Sequence, residues 1–338
     1  MTISSVAIIG AGPIGSILAA SLASRGVEVS ILGRERDVSV IRTQGITVTE
    51  PDGASWNATG ITASTAMEDI AKRPCDLAVF AVKTFDTAGA LQQWVAAGGQ
   101  LERAVSLQNT TSNEAILAES FRSVGSGVVR FGGTSDGPGR PRVFSFRGER
   151  DLDLGMFTSS DARWIEEFRN VLVRSGILAQ IVEDIDAVKF AKLVMNLDNA
   201  LCAASNTPMN HLSTPVAVKI RTRVRVEALE IAERMGMREL PLAPIREAPV
   251  PSTGPRVFSS TWFDLDRGRG RTETPWLNGR IVELGKEYAI STPANAALTE
   301  LIAEMAAAGR APGAHSLDEV SDRVDRASAS ASSAPEGS

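Results

Sequence analysis

Histidine, cysteine and tyrosine are scarce in this chain of 338 residues, which has two of the first, two of the second and one of the third. Each scarcity removes a chemistry. Cys75 and Cys202 lie too far apart in sequence for a disulfide framework or a CxxC metal or redox motif, so a reducing compartment, the cytoplasm, is expected. His211 follows no recognisable acidic partner and His315 falls in the C-terminal stretch, which leaves no histidine–carboxylate acid/base pair. Tyr288 has Thr292 four residues on, where a short-chain dehydrogenase needs lysine. A zinc centre needs a Cys/His ligand set that these scattered residues do not supply, so no metal is expected. Excess positive charge is absent too: the net charge is -5, which makes nucleic acid an unexpected partner. Finally, no run of about 18 apolar residues exists, so no membrane span is expected. The apolar start MTISSVAIIGAGPIGSILAASL lacks a basic leader and is broken by Gly-Ala-Gly-Pro, unlike a signal peptide.

With 43% hydrophobic and 22% charged residues, the chain fits a protein of two ordinary domains. The first, over 1–183, alternates β-branched runs with helical stretches. Residues 6–10, 27–32, 77–82, 104–108 and 127–132 read as buried strands, and 13–24 and 65–72 as helices. That grammar predicts an α/β fold with a doubly wound parallel sheet of the Rossmann type. Residues 140–157 read as two short strands around Gly148 forming an antiparallel edge. From 184 to 310 strands disappear, and helices are expected at 186–205, 213–235, 257–267, 275–288 and 293–308, with Gly236 and Gly309 as C-terminal caps. Residues 239–255 are proline-rich and read as a loop. The Pro/Gly/Ala/Ser-rich stretch 311–338 is expected to be a disordered tail.

The motif at Gly10, Gly12, Pro13, Ile14 and Gly15 follows a strand and opens a helix, the context that a dinucleotide-binding turn requires. Gly10 allows the tight turn, Gly12 lets the pyrophosphate approach the backbone, and Gly15 lets helix and strand pack closely. An NAD enzyme places a carboxylate at the end of the next strand to hold the ribose hydroxyls. Here the sequence is Gly33-Arg34-Glu35-Arg36, so NADP(H) is the expected cofactor, its 2′-phosphate held by Arg34 with Arg36 in reserve.

In the second half, AVKFAKLVMNLDNALCAA (187–204) is apolar except for a polar file. Lys192, Asn196 and Asn199 fall at i, i+4 and i+7 on one helical face. A lysine and two amides on a buried helix need a polar counterpart, and a ligand with oxygen atoms is the natural one. With histidine and tyrosine removed, lysine remains as proton donor. Hydride arriving at a carbonyl carbon leaves charge on oxygen, which an ammonium stabilises and protonates. Lys189, one turn earlier, is expected at the surface.

Together GAGPIG (10–15), the arginine after the second strand, VKTFDT (82–87), LQN (107–109), KLVMN (192–196), SSTWFDL (259–265), RTE (271–273) and NG (278–279) resemble the ketopantoate reductase family over about residues 4–308. The resemblance implies NADPH-dependent reduction of a small-molecule 2-oxo acid, with 2-dehydropantoate as default substrate. It implies Lys192 as general acid, Asn196 as a substrate amide, Ser260 as a donor to the substrate carboxylate and Glu273 as the carboxylate completing the site. It also implies Lys83 and Asn109 near the cofactor's ribose and nicotinamide. Asn210 falls where the family often has another substrate amide. Three departures are visible: Thr110-Thr111 replace the usual glycine after LQN, Asn199 lies one position early, and the 260–273 interval is longer, with RGRGR inside it. The Thr110-Thr111 departure is expected to put β-branched side chains near the nicotinamide. Two rival readings are a β-hydroxy acid dehydrogenase or imine reductase, and a non-catalytic NADPH-binding sensor. The last helix suits a subunit contact of a homodimer as well as core.

Overall fold

The protein is described by a computed structural model covering residues 3–99, 102–143, 151–158, 161–237, 239–242, 245 and 256–333. The unit Met1–Lys189 begins with β1 (Ser5–Ile9), α1 (Pro13–Ala23), β2 (Glu28–Leu32), α2 (Glu35–Gln44), β3 (Ile46–Thr49), β4 (Ser55–Ala58) and β5 (Thr62–Ser64). It continues through α3 (Met67–Ala71), β6 (Leu77–Phe80), α4 (Thr87–Ala96), β7 (Arg103–Ser106), α5 (Asn113–Ala118) and β8 (Ser123–Val129). Then follow β9 (Gly133–Ser135), β10 (Pro141–Val143), β11 (Leu152–Thr158), α6 (Arg163–Arg174), β12 (Ala179–Ile181) and the first turns of α7 (Ile185–Asn196).

Eight strands form the main sheet, in the order β12-β11-β8-β7-β6-β1-β2-β5. All neighbours pair in parallel except β11 with β8. The central strands have helices on both faces, which is why they read as unbroken apolar runs: Val6 to Ile9 are at most 1% exposed and Leu77 to Phe80 are 0% exposed. The chain leaves β1 for β2 on one side and reaches β6 on the other, so the order reverses at β1. Ligands of such sheets bind beyond the carboxyl ends of the strands at that reversal. The expected Rossmann-type sheet is therefore present.

A second sheet, in the order β4-β3-β10-β9, was not read from the sequence. Its strands are three or four residues long. The two strands expected around Gly148 exist as β10 and β11 but do not pair with each other. β10 joins the small sheet and β11 pairs antiparallel with β8. Gly148 itself lies outside the described residues. The reason is register: β11 carries buried residues from Leu152 to Gly155, suited to an inner position of the main sheet.

The unit Phe190–Ser338 holds the rest of α7, then α8 (Asp198–Ser205), α9 (Pro215–Arg234), α10 (Ser260–Asp266), α11 (Asn278–Tyr288), α12 (Pro293–Ala307) and α13 (Leu317–Ser333). Gly236 and Gly309 follow helices with left-handed φ of 81° and 61°, as a C-cap requires. The expected helix 186–205 is divided at Leu197, whose N–H bonds to Val194 O and whose carbonyl accepts from Asn278 Nδ2. Asn278 in turn donates to Asn295 Oδ1, and Glu227 accepts from the Ala294 and Asn295 N–H groups, capping α12 from outside. Most of the expected loop 239–255 lies outside the described residues.

The expected disordered tail is a correction. From Leu317 through Ser333 it is the helix α13, with Val320 and Val324 each 1% exposed in the core shared with α8, α9 and α12. Leu317, Val320 and Val324 recur at helical spacing, and the Ala/Ser-rich end of the helix masks that stripe in composition. Asp325 receives Lys219 Nζ at 2.7 Å and also pairs with Arg223, while Arg323 reaches Glu304 at 2.6 Å. No helix among the described residues is long and apolar enough to cross a membrane. Val324→Ala is expected to lower stability by about 1–3 kcal/mol, and a chain cut after Gly313 to melt at a lower temperature. Calorimetry checks both, and an unchanged midpoint for the shortened chain would contradict the packing role of α13.

Candidate active site

At the end of β1 two of the three glycines answer a steric demand. Gly10 has a φ of +122°, and a Cβ there would stand 2.8 Å from Val82 N. A Cβ on Gly15 would fall 2.0 Å from Gly10 O, so α1 can cross the turn only with glycine. A Cβ on Gly12 would meet nothing within 4 Å, which leaves that side of the turn open for the approach of a pyrophosphate. Pro13 occupies the first turn of α1, with Gly12 as N-cap, and the unpaired N–H groups of that turn favour an anion. Ile14 packs inward, 3.2 Å from where a side chain on Gly133 would begin. These residues fit a dinucleotide.

Arg34 is exposed at the N-cap of α2, beyond the end of β2. Arg36 is instead turned to Asp37, with Nε–Oδ2 at 3.3 Å. Gly33 has its own steric reason: a Cβ there would meet the Ala11 methyl at 2.6 Å, so a carboxylate cannot stand at 33 without moving the glycine turn. Lys83 is half-buried before a 3-10 turn, Thr84–Asp86, that follows β6. Asn109 is half-buried after β7, between the buried Gln108 and Thr110.

One expectation in this unit is narrowed and one is corrected. Thr110 turns its side chain inward: it is 0% exposed, and its hydroxyl accepts from Asn113 Nδ2 at 2.6 Å and lies 3.1 Å from Thr84 Oγ1, which leaves the half-buried Thr111 as the more accessible of the two. Lys189 is not at the surface but 2% exposed, ion-paired with Glu114 of α5 and donating to Ser106 and Ser126 at 3.3 and 3.2 Å. A countercharge and two hydroxyls satisfy its ammonium, which is what lets it leave water. Asp186, one turn before it, has its carboxyl pushed above the usual range by burial first and by Glu114 next, with Lys189 pulling it back. Cys75 offers no nucleophile, since burial and then Asp76 push its thiol up to about 11.

The second unit holds the expected substrate residues. Lys192 is half-buried on α7, and Asn196 stands one turn further on. The Asn196 amide nitrogen is buried and has no hydrogen-bond partner among the described residues. An amide donor in that condition costs stability unless a ligand accepts from it. Asn199 lies beyond the break at Leu197, 6% exposed, and its carbonyl accepts from Ser259 Oγ at 3.0 Å. Ser259 is also the side-chain cap of α10, accepting from Trp262 N at 3.1 Å. Capping thus falls to Ser259, and Ser260 sits half-buried in the first turn, with α10 drawn against α8 by the Ser259 bond. Glu273 is 5% exposed and precedes the 3-10 turn Thr274–Trp276. Asn210 lies on another 3-10 turn, where its Oδ1 accepts from Val257 N at 3.2 Å and holds the chain leading into α10. Trp262 has its ring stacked on Phe258 at 4.3 Å and its N–H on Asn206 Oδ1 at 2.7 Å.

Glu114, Ser106, Ser126 and Thr87 were not singled out in the sequence. The available signal was Lys189 itself, an ammonium in an apolar helix with no acid at i±3 or i±4 except Asp186.

Comparison with known proteins agrees with this arrangement at both ends of the chain. The family described as ketopantoate reductase PanE/ApbA matches residues 6–159, and its C-terminal counterpart matches 184–306. The 2-dehydropantoate 2-reductase of Archaeoglobus fulgidus is 27% identical over 310 residues, covering 89% of this chain and 98% of that protein. Its counterpart from Pyrococcus horikoshii is 26% identical over 309 residues, 87% of this chain and 95% of the relative. Among solved structures, a PanE/ApbA family ketopantoate reductase from Ralstonia eutropha superposes with a TM-score of 0.77 at 27% identity, covering 90% of this chain and 99% of that one. A D-mandelate dehydrogenase with NADH and anilino(oxo)acetate superposes at 0.80 with 23% identity over 90% of this chain and 99% of that one, a likeness of fold alone. A glycine turn on a Rossmann-type sheet, a helical unit carrying Lys192 and Asn196, and family matches over both make this chain a member of the ketopantoate reductase family of oxidoreductases.

Proposed function

We propose that the chain reduces a 2-oxo acid to the 2-hydroxy acid with NADPH, 2-dehydropantoate being the substrate that its relatives' names favour. The observation that carries this reading is the pair on α7. A half-buried lysine stands one turn from an asparagine whose amide nitrogen is buried and lacks a partner among the described residues.

When bound, the cofactor supplies a hydride to the carbonyl carbon. The chain's own residues do the rest. Lys192 Nζ donates to the carbonyl oxygen, stabilises the charge that develops there, and passes it a proton, leaving a neutral amine that regains its proton from solvent. Asn196 Nδ2 donates to a substrate oxygen and fixes its orientation without adding charge. Ser260 is assigned to the substrate carboxylate, Asn199 and Asn210 to further substrate contacts, and Glu273 to the electrostatic setting of the lysine. Gly10, Gly12, Pro13, Ile14 and Gly15 hold the pyrophosphate, Lys83 and Asn109 the ribose and nicotinamide end. Exposed Arg34 favours the 2′-phosphate, hence NADPH over NADH. Two free cysteines suit the cytoplasm.

Lys192→Ala is expected to lower kcat by about a hundredfold or more while leaving NADPH affinity unchanged, as read by steady-state oxidation of NADPH with a panel of 2-oxo acids, cyclic imines and β-keto acids. Full activity in the variant would remove the proton-donor role, and turnover of imines alone would favour the rival reductase. Arg34→Ala is expected to raise the KM for NADPH about tenfold or more and to leave that for NADH unchanged. Equal effects on both cofactors would take the 2′-phosphate contact away from Arg34.

A further inference from the structure

The buried pair of Lys189 and Glu114 heads a hydrogen-bonded chain that runs in one direction. The Lys189 ammonium donates to Ser106 Oγ at 3.3 Å, and Ser106 donates to Gln108 Oε1 at 2.7 Å. Gln108 Nε2 donates to Thr87 Oγ1 at 2.9 Å, and Thr87 donates to Asn113 Oδ1 at 2.8 Å. Asn113 Nδ2 then donates to Thr110 Oγ1, which stands 3.1 Å from Thr84 Oγ1. Every side chain in the run is at most 6% exposed. Because each assigned donor points away from the lysine, the ammonium polarises its neighbours in turn, and in a dry interior such bonds reinforce one another.

The run passes through the two loops that hold the cofactor candidates. Thr84 follows Lys83, and Gln108 and Thr110 flank Asn109 on both sides. The backbone of Asn109 is thus clamped by side chains that cannot turn to water. A buried ion pair is a poor way to gain stability, since apolar residues of the same volume do as well or better; what it can add is a single arrangement of the groups around it.

We propose that the Lys189–Glu114 pair is a positioning device for the cofactor, heading a directed chain of buried hydrogen bonds that pre-orders the loops bearing Lys83 and Asn109. The inference rests on the cofactor assignment made above. Lys189 and Glu114 act through Ser106, Ser126 and Gln108, and are positioning residues. They govern the nicotinamide and ribose end, whereas the glycine turn and Arg34 govern the adenine end.

That division supplies the test. NADPH and 2′-phosphoadenosine 5′-diphosphate, which lacks both the nicotinamide and its ribose, are titrated into the full chain, with the melting temperature followed in parallel. In the double variant Lys189→Met/Glu114→Gln both charges leave together, so the protein is expected to stay folded. NADPH is expected to bind about tenfold more weakly (~1.4 kcal/mol) with affinity for 2′-phosphoadenosine 5′-diphosphate unchanged. Wild-type affinity for NADPH, or equal loss for both ligands, overturns the positioning role. Should the double variant not fold, Thr87→Val cuts the chain at its middle with the pair intact. The same selective loss supports the proposal, and unchanged NADPH binding overturns it. A wild-type protein that binds neither NADPH nor NADH overturns the cofactor assignment as well, a result distinct from a variant that binds as wild type does.

Discussion

A charge taken out of water has to be answered, and in the first unit that requirement shapes the carboxyl end of the sheet. Lys189 enters the interior only because β7, β8 and α5 present a hydroxyl, a second hydroxyl and a carboxylate to it. Those groups then have lone pairs and protons of their own to place, and the amides and threonines after β6 and β7 take them up. The ends of two central strands are therefore fixed by polar bonds as well as by the apolar layers beneath them. In the second unit Glu227, Asn295 and Asn278 do comparable work, joining α9, α11 and α12 to the carbonyl of Leu197 where α7 gives way to α8.

Much of this was legible beforehand, and the parts that were not share a cause. The Rossmann-type sheet showed in the apolar runs of β1 and β6, because both faces are covered and no alternation is needed. The glycine turn showed because Gly10 and Gly15 answer steric demands that only glycine meets. The helices of the second unit showed through periodicity and caps. Strands of three or four residues, such as β9 and β10, are too short for any periodicity. Lys189 was misplaced because a sequence does not reveal which distant acid will face a lysine; Glu114 lies 75 residues away. The burial of Thr110 was hidden for the same reason, its partners Thr84 and Asn113 being supplied by the turn after β6 and by α5. α13 was missed because small residues dominate its composition while two valines carry its burial.

The polar file on α7 reads differently once the helix is seen to be interrupted. Lys192 and Asn196 share a face within one helix, but Asn199 belongs to the next, and its backbone is already engaged by Ser259. The alignment that made three residues look equivalent in sequence separates them into a lysine and an amide on one element and a neighbour whose place is set by the packing of α8 on α10. Asn199 stands one position from where the family has its second amide, on the far side of that interruption.

Gly33 carries a consequence for altering the cofactor. The Ala11 methyl closes position 33 to any side chain, so under the NADPH reading the preference cannot be converted by installing the ribose-binding acid there. The next position is open, exposed, and at the N-cap of α2. Aspartate is among the best residues for a helix N-cap, and arginine is not. A redesign toward NAD that places its carboxylate at 34 would therefore put it where local helix energetics already favour that residue, whereas the arginine there stands against the preference of its own backbone.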